Sequence, residues 1–276
     1  MKTKKPLAAV VYYLVMIIIS AYCFFPMIWM VYSSFKTNLS IFKYPLALPE
    51  SVSFTNWKEA WRIGKISVYA GNSLFITATT TAALLLFSAM AAYAFSRISF
   101  KGKGVLVSLF VLGLFLPIQS YFIAQNAIIN FLHLGDSFFC LILPYIAMGV
   151  SLAIYILREY FSAIPTEMDE SARIDGAGHA QIFWAVMLPM VTPGLATAGV
   201  FTTLSVWNEF LLALLYIQNP DMKTLTVGMY AFSGQHSTDY AMLFAGLSMI
   251  TIPMILVYFM FNKVIVSGII EGAVKG

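Results

Sequence analysis

The chain has 276 residues, of which 60% are hydrophobic and only 10% are charged, and its formal net charge is +4. A soluble domain carries about 25% charged residues, so this composition excludes an ordinary water-soluble fold and predicts an integral membrane protein. The small positive charge is spread along the chain in short clusters, which argues against a nucleic-acid-binding protein.

Six apolar runs are long enough to cross a bilayer, since a transmembrane helix needs about 20 mainly apolar residues. These runs are residues 7–34, 71–95, 105–126, 137–157, 191–217 and 240–261. The first run exceeds the apolar core of a signal peptide, about 7–15 residues, so we expect it to remain as an anchor. In the loop after it, residues 56–61 predict a short interfacial helix, because two tryptophans lie there. The pattern predicts an all-α integral membrane fold with six transmembrane helices, in one transmembrane domain over residues 1–276.

The basic residues predict the orientation, because cytoplasmic loops of membrane proteins are enriched in lysine and arginine. With a cytoplasmic N-terminus, ten of the 16 basic residues lie inside, namely Lys2, Lys4, Lys5, Arg97, Lys101, Lys103, Arg158, Arg173, Lys263 and Lys275. Five of the other six lie in one long outer loop, and the two shorter outer loops contain only Lys223. The pattern therefore favours a multi-pass protein of the cell membrane with both termini in the cytoplasm.

Residues 158–190, between the fourth and fifth runs, are too long for a simple connection and predict two short cytoplasmic helices. Thr166 is the expected N-cap of the first helix, and Gly176 is the expected left-handed residue after its end. The acidic residues in its first turns, which the helix dipole favours, are Glu167, Asp169 and Glu170. The second helix, over residues 178–189, is expected to place one apolar face inward, with Ile182, Phe183 and Val186.

Two short helices held below a membrane bundle form a surface that a cytoplasmic partner can bind. The alternative is an amphipathic loop that rests on the lipid surface. A helix of that kind is rich in lysine and arginine, whereas residues 167–175 are acidic overall. Docking of a partner protein is therefore the favoured interpretation.

Residues 170–177 (ESARIDGA) and 186–189 (VMLP) resemble the EAA loop of ABC-importer permeases. That pattern reads Glu-Ala-Ala, three residues, Gly, nine residues, Ile, one residue and Leu-Pro. Ser171 in place of an alanine and Val186 in place of isoleucine are the two departures, and both change the volume little. The resemblance assigns the coupling to an ATPase to Glu170, Ser171, Ala172, Arg173, Asp175, Gly176, Ala177, Leu188 and Pro189. Glu170 is the acid expected to pair with a basic group of the ATPase.

Further segments resemble the second, six-span permease subunit of carbohydrate ABC importers of the maltose type. They are residues 72–74, 91–97, 134–137 and 207–210 and the terminal Gly272, Ala273, Val274, Lys275 and Gly276. The resemblance implies an importer of di- or oligosaccharides with a second permease, two ATPase subunits and an extracytoplasmic sugar-binding protein. Within the C-terminal tail, residues 262–276, we expect the glycine-rich residues 268–276 to form an extended strip against the ATPase subunits.

No motif in the chain indicates chemistry of its own. A phosphate-binding loop needs Gly-x4-Gly-Lys-Ser/Thr, and no segment has this spacing. His133, His179 and His236 lack metal-ligand spacing, and Cys23 and Cys140 lie in apolar runs. We therefore expect a chain that is not an enzyme and holds no cofactor, while the resemblance implies that the ATPase subunits bind ATP and magnesium.

Polar residues inside the spans are the candidates for a translocation path. Ionisable residues in a span are costly and usually face a cavity or a partner, which makes Glu209 in the fifth run the main candidate. The other candidates, which can stack on or hydrogen-bond to a sugar, are Asn208, Trp207, Gln119 and Tyr121. The alternative is a structural role, since membrane helices use polar side chains to hydrogen-bond to one another.

Other functions are open at this point. The same kind of complex can import a smaller or phosphorylated solute such as glycerol phosphate. A self-contained channel or secondary transporter belongs to another class and predicts paired broken helices around a midplane site. The sequence has no such symmetry, and this alternative gives residues 158–190 no role. An intramembrane enzyme is a third class, and no catalytic set supports it.

Overall fold

The computed structural model describes residues 6–135, 137–232 and 238–273, and their side chains except those of residues 6–8, 118–119, 231, 257 and 260–273. Within this part of the chain the regular structure is helical, without a β-strand. The α-helices are α1 (Pro6–Ser33), α2 (Asn38–Lys43), α3 (Thr55–Ile63), α4 (Ile66–Arg97), α5 (Lys103–Gly113), α6 (Phe122–Phe131), α7 (Phe139–Ala163), α8 (Glu167–Ile174), α9 (His179–Gln181), α10 (Leu188–Met190), α11 (Thr192–Trp207), α12 (Leu211–Tyr216), α13 (Leu225–Gly228) and α14 (Tyr240–Ala273). The all-α prediction is confirmed.

The chain divides into two compact units, one of residues 1–67 and 228–255 and the other of residues 68–227 and 256–276. In the first unit, every side chain from residue 9 to residue 26 of α1 is exposed, and most of them are apolar. A helix that is apolar on all sides is buried in a protein core or in a membrane. The exposure of α1 therefore favours contact with lipid.

The predicted short helix of the outer loop is present in the first unit as α3. Asn56 Nδ2 donates to the carbonyl oxygens of Ser34 (2.7 Å) and Lys36 (2.8 Å), and Trp57 Nε1 donates to Ser34 Oγ (2.9 Å). The last carbonyls of a helix have no partner within that helix. These bonds therefore fix the chain just after the end of α1.

The core of the second unit lies where α4, α7 and α11 pack against one another. Its buried residues include Leu84, Ala92, Leu157, Phe161, Met187 and Ala198. Close packing depends on small residues: a Cβ atom at Gly149 would lie 2.5 Å from Leu84 Cδ1, and one at Gly113 would lie 2.7 Å from Ser151 Oγ. Small residues at such contacts let membrane helices approach closely.

Three helices among the described residues are long and apolar enough to cross a membrane, namely Ala9–Ser33, Ile66–Arg97 and Phe139–Ala163. A fourth span results if His179–Met190 and Thr192–Trp207, which are bent by 76° at a short break, count as one. The count of six spans therefore stays a prediction.

Two of the predicted runs are not continuous helices. The third run is divided because α5 ends at Gly113, and a 3-10 turn follows Pro117 before α6 begins. Proline lacks an N–H and disfavours a helical conformation in the residue before it. The fifth run is divided into α11 and α12 by residues 208–210, around Glu209.

The C-terminal tail is helical as far as the structure describes it. Helix α14 continues to Ala273, so the expected extended conformation is wrong for residues 268–273. A glycine costs a helix only about 1 kcal/mol, and a helix that has formed propagates at little further cost. Val274, Lys275 and Gly276 lie outside the described residues.

Candidate functional site

The segment between the fourth and fifth runs starts with helix and continues with α8. Helix α7 extends to Ala163 and so includes Arg158. Thr166 occupies the N-cap position of α8, but its side chain makes no capping hydrogen bond, and the predicted side-chain cap is wrong. Its φ of −68° and ψ of −26° are helical, whereas a capping residue has a non-helical, typically extended, backbone.

The end of α8 has the geometry that the sequence predicts. Gly176 has a φ of +85°, in the left-handed region. Its N–H donates to the carbonyl oxygen of Arg173 (3.0 Å), and the N–H of Ala177 donates to that of Ala172 (2.9 Å). This pair of bonds is the Schellman motif, which satisfies the last carbonyls of a helix. The prediction of a left-handed residue at Gly176 is confirmed.

The second predicted helix contains a π-helical turn over residues 182–187, between α9 and α10. Ile182 and Phe183 are buried as expected, but Met187 is fully buried and Val186 is only half-buried. A π-helix pairs residues five apart, so Ile182 and Met187 come to lie on the same face. The predicted inward face is therefore correct at two positions and wrong at Val186.

The residues assigned to coupling divide into an exposed and a packed group. Glu170, Ser171, Arg173, Asp175, Gly176 and Pro189 are exposed. Ala172, Ala177 and Leu188 are half-buried and pack against the core of the second unit. The exposed surface also carries apolar side chains, since Ile174 is 86% and Met168 42% exposed. Helix α8 thus presents an acidic and apolar surface, while its Ala172 faces the core.

Asp169 is an acid of the first turn of α8, as predicted, together with Glu167 and Glu170. Unlike those two residues it is buried, since it is 7% exposed and lies 3.4 Å from a guanidinium nitrogen of Arg97. The amphipathic spacing of α8 was the available signal, because Asp169 lies three residues before the inward-facing Ala172.

A cavity of about 260 Å³ lies in the second unit among α5, α7 and α11. Its polar lining comes from Tyr121, Tyr145, Thr202, Ser205 and Glu209. Its apolar lining includes Met148, Leu152 and Phe201. None of its described lining residues is a lysine or an arginine.

Glu209 lies at the break between α11 and α12 and is held by three donors. Tyr145 donates its phenol proton to Oε2 (2.6 Å), and the N–H groups of Leu212 and Ala213 donate to Oε1 (2.8 Å) and Oε2 (3.1 Å). The first N–H groups of a helix have no partner within the helix. The carboxylate therefore satisfies amides at the start of α12 and joins that helix to α7.

The other candidates for the path do not all meet at the cavity. Tyr121 lines it together with Glu209. Asn208 Nδ2 donates to the carbonyl oxygen of Leu204 (2.8 Å), within its own helix, and Trp207 Nε1 is buried without a partner among the described residues. Neither residue is among the described lining of the cavity. The side chain of Gln119 lies outside the described part.

Other polar residues of the spans serve as links between helices. Tyr216 Oη is 3.2 Å from Gln125 Oε1 and 3.2 Å from the carbonyl oxygen of Phe122. Asn72 donates to the carbonyl oxygens of Asp221 (2.8 Å) and Lys223 (3.0 Å). Within the described part of the chain, no group of three or more histidine, cysteine, aspartate or glutamate residues could hold a metal ion.

Comparison with known proteins assigns most of the chain to one family. The model of the family described as binding-protein-dependent transport system inner membrane component matches residues 84–270. The chain is 38% identical over 252 residues to the probable ABC transporter permease protein YurM of Bacillus subtilis, which covers 91% of this chain and 84% of that protein.

Two further relatives have a transported solute in their names. The chain is 33% identical to the trehalose/maltose transport system permease protein MalG of Thermococcus litoralis, over 94% of each chain. It is also 33% identical to the diacetylchitobiose uptake system permease protein NgcG of Streptomyces coelicolor, over 91% of this chain and 83% of that protein.

A solved structure has a similar fold. A chain of a bacterial ABC transporter involved in the import of the acidic polysaccharide alginate matches with a TM-score of 0.84. The match covers 95% of this chain and 99% of the other at 20% identity.

Proposed function

The chain belongs to the family of binding-protein-dependent transport system inner membrane components, and from that premise we propose that it is a permease subunit of an ATP-driven importer of di- or oligosaccharides. The family is one of integral membrane permease subunits, which transport and do not catalyse a reaction. The observation that carries the proposal is the exposed helix α8, ended by the left-handed Gly176 in a chain of this family.

Helix α8 is the element that we assign to docking an ATPase subunit. Glu170 is exposed, and it makes no ion pair with any residue that the structure describes. Its carboxylate is therefore available to a basic group of a partner. The neighbouring exposed Ile174 and Met168 add apolar area that a partner would bury.

The partners in this proposal are a second permease, two ATPase subunits and an extracytoplasmic sugar-binding protein. ATP and magnesium bind to the ATPase subunits, which is supported by the lack of a phosphate-binding loop in the sequence. Both termini lie in the cytoplasm of a six-span chain, as the distribution of lysine and arginine favours. The tail, residues 272–276, contacts the ATPase subunits.

We assign the translocation path to the cavity lined by Glu209 and Tyr121. Its volume, about 260 Å³, is just below the range of about 300–1,000 Å³ for small-molecule pockets. It therefore suits one wall of a path that a second permease completes. A phosphorylated solute fits this cavity less well than a neutral sugar, because its described lining has a carboxylate and no basic side chain.

The test is to express the chain with its second permease, its ATPase and its binding protein, and to measure uptake of labelled disaccharide in vesicles. We expect uptake that requires ATP, the binding protein and this chain. Uptake by this chain alone, driven by an ion gradient, would contradict the proposal. Preferential uptake of glycerol phosphate would retain the complex but overturn the substrate class.

Glu170→Lys tests the docking assignment within that complex. Because it places a like charge against a basic partner, we expect the variant to accumulate in the membrane, to lose the ATPase subunit on pull-down and to lose uptake. Glu167→Lys is the matched control, since Glu167 is an exposed acid of the same helix outside the EAA pattern. Normal recovery of the ATPase with Glu170→Lys would show that α8 docks differently.

A further inference from the structure

We propose that Arg97 and Asp169 are positioning residues that link α8 to the C-terminal ends of α4 and α7, so that a displacement of α8 moves both long helices. The proposal rests on the proposed function, in which α8 receives the motion of the ATPase. It concerns the buried Asp169 and not the neighbouring Glu170, which is exposed. Docking of the ATPase is thus assigned to Glu170, and transmission of its motion to the adjacent Asp169.

Arg97 joins α4 to α7. It is the last residue of α4, and its side chain is 5% exposed. Its Nη2 donates to the carbonyl oxygen of Phe161 (2.5 Å) and to that of Ile164. These carbonyls lie at the C-terminal end of α7, where carbonyls lack helical partners and the dipole favours a cation. Arg97 therefore caps α7 from a neighbouring helix.

The same guanidinium reaches α8. Nη1 of Arg97 lies 3.4 Å from Oδ2 of Asp169, whose side chain is 10% exposed. Ionised side chains in the interior need a partner of opposite charge, because burial removes their hydration. One planar group with five donors can hold two carbonyls and one carboxylate at once. The three helices α4, α7 and α8 thus meet at a single side chain.

The distance between Arg97 and Asp169 can shorten. Charge-assisted hydrogen bonds are about 2.7–2.9 Å long, and the 3.4 Å separation of Arg97 and Asp169 is longer. Arg97 Nε and Asp169 Oδ1 are both buried without a hydrogen-bond partner among the described residues. The pair therefore has an unused donor and an unused acceptor, which permits a second bond when α8 moves toward α4.

The link is set in a packed apolar core. Tyr93, one turn before Arg97 on α4, packs edge-on against Phe161 of α7, with ring centroids 5.9 Å apart, and at a tilt against Phe183 of the π-helical turn, with centroids 5.4 Å apart. Ser96 Oγ donates to the carbonyl oxygen of Ala92 in its own helix (2.7 Å) and lies 3.3 Å from the carbonyl oxygen of Arg158, which places α4 and α7 in polar contact beside the link. Close-packed interiors are stiff and transmit strain. Motion of α8 therefore passes to the long helices with little local relaxation.

The experiment uses the complete importer complex and measures sugar uptake and ATP hydrolysis in the same vesicles. The variants are Arg97→Gln, Asp169→Asn and both together. The double variant removes both charges while it keeps polar side chains of similar size, so no unpaired charge remains in the core. Recovery of the ATPase on pull-down reports docking, and uptake per ATP hydrolysed reports transmission.

We expect all three variants to retain the ATPase subunit and to lower uptake per ATP by about 2- to 30-fold, the range typical of mutations along a coupling path. The double variant should lose less than the product of the two single losses, because the residues act as one pair. Uptake per ATP at the wild-type level in the double variant would overturn the proposal, since the pair would then only stabilise the fold.

Other outcomes also overturn it. Multiplicative effects of the two substitutions would show that the residues act separately. Loss of the ATPase to the extent seen with Glu170→Lys would assign the pair to docking, and failure of the double variant to accumulate would assign it to folding. If the wild-type complex itself shows no ATP-dependent uptake, the proposed function fails. The positioning proposal fails when the wild type transports and the variants match it.

Discussion

Asp169 and Glu209 are two partly or fully buried carboxylates at helix junctions of the second unit, and they are stabilised in different ways. Glu209 accepts two backbone N–H bonds and a phenol proton, and no lysine or arginine is among the described residues that line its cavity. The carboxylate of Asp169 is paired, among the described residues, with the guanidinium of Arg97. The backbone explains the difference. The break before α12 frees amides for Glu209, whereas the N–H of Asp169 itself already donates to the carbonyl oxygen of Thr166 (3.0 Å).

The two sites therefore perform different tasks. Glu209 accepts hydrogen bonds from the amides that the break between α11 and α12 leaves free, and it links this region to α7 through Tyr145. Its loss should therefore destabilise both the fold and the cavity. Asp169 connects an exposed short helix to the ends of two long helices, so its loss should leave the cavity intact and affect transmission. Substitutions that separate folding from transport test this comparison.

The largest effect is expected for Glu209→Leu. The substitution leaves the N–H groups of Leu212 and Ala213 and the phenol of Tyr145 without their acceptor, and each unsatisfied buried group costs about 1–3 kcal/mol. We expect little folded protein in the membrane and little uptake. Glu209→Gln retains one acceptor oxygen and should be milder. The amount of protein in the membrane and sugar uptake are the measurements.

Asn208→Ala is the matched control, because the side chain of Asn208 bonds, among the described residues, to a carbonyl of its own helix and should tolerate the change. Full transport by Glu209→Leu would mean that the break between α11 and α12 needs no carboxylate. The contrast between Glu209 and Asp169 would then disappear.

A smaller effect is expected for Gly176→Val, which changes the end of α8 and not the surroundings of Glu209. A left-handed backbone costs an L-residue about 1–2 kcal/mol, so the Schellman end of α8 should open and the recovery of the ATPase should fall by about 5- to 30-fold. Gly178→Val is the control, because Gly178 has a φ of −77° and open space around its Cβ position. Equal loss in both variants would show that added bulk, and not backbone strain, is responsible.

The smallest effect is expected for Tyr145→Phe, which removes one of the three donors to Glu209. Interhelical hydrogen bonds in membrane proteins contribute about 0.6 kcal/mol on average and about 1.7 kcal/mol at most. We expect a loss of that size in the free energy of unfolding in detergent, with ATPase recovery unchanged. Tyr155→Phe, at an exposed tyrosine of the same helix, should change neither. A loss of ATPase recovery with Tyr145→Phe would contradict the separation of the two sites.

Local sequence patterns predicted the features that depend on a few neighbouring residues. The apolar composition predicted an all-α membrane fold, and the tryptophans of the outer loop predicted the helix α3. Gly176 was predicted to be left-handed from its place after α8, and the structure confirms it. The resemblance to ABC-importer permeases agrees with the family that the comparison shows. These predictions succeeded because helix formation and helix ends are determined within one or two turns of chain.

What only the tertiary structure decided is the use of each side chain within these elements. The π-helical turn places Met187 inward in place of Val186, because a π-helical turn contains one more residue than an α-helical turn and shifts the register. The sequence predicted that Glu209 faces a translocation path. In the structure its carboxylate also caps α12, because the break in the fifth run leaves backbone amides free. Asp169 and Arg97 are 72 positions apart and meet only when α4, α7 and α8 pack. Such contacts between distant segments carry no local signal, since they depend on which helices become neighbours.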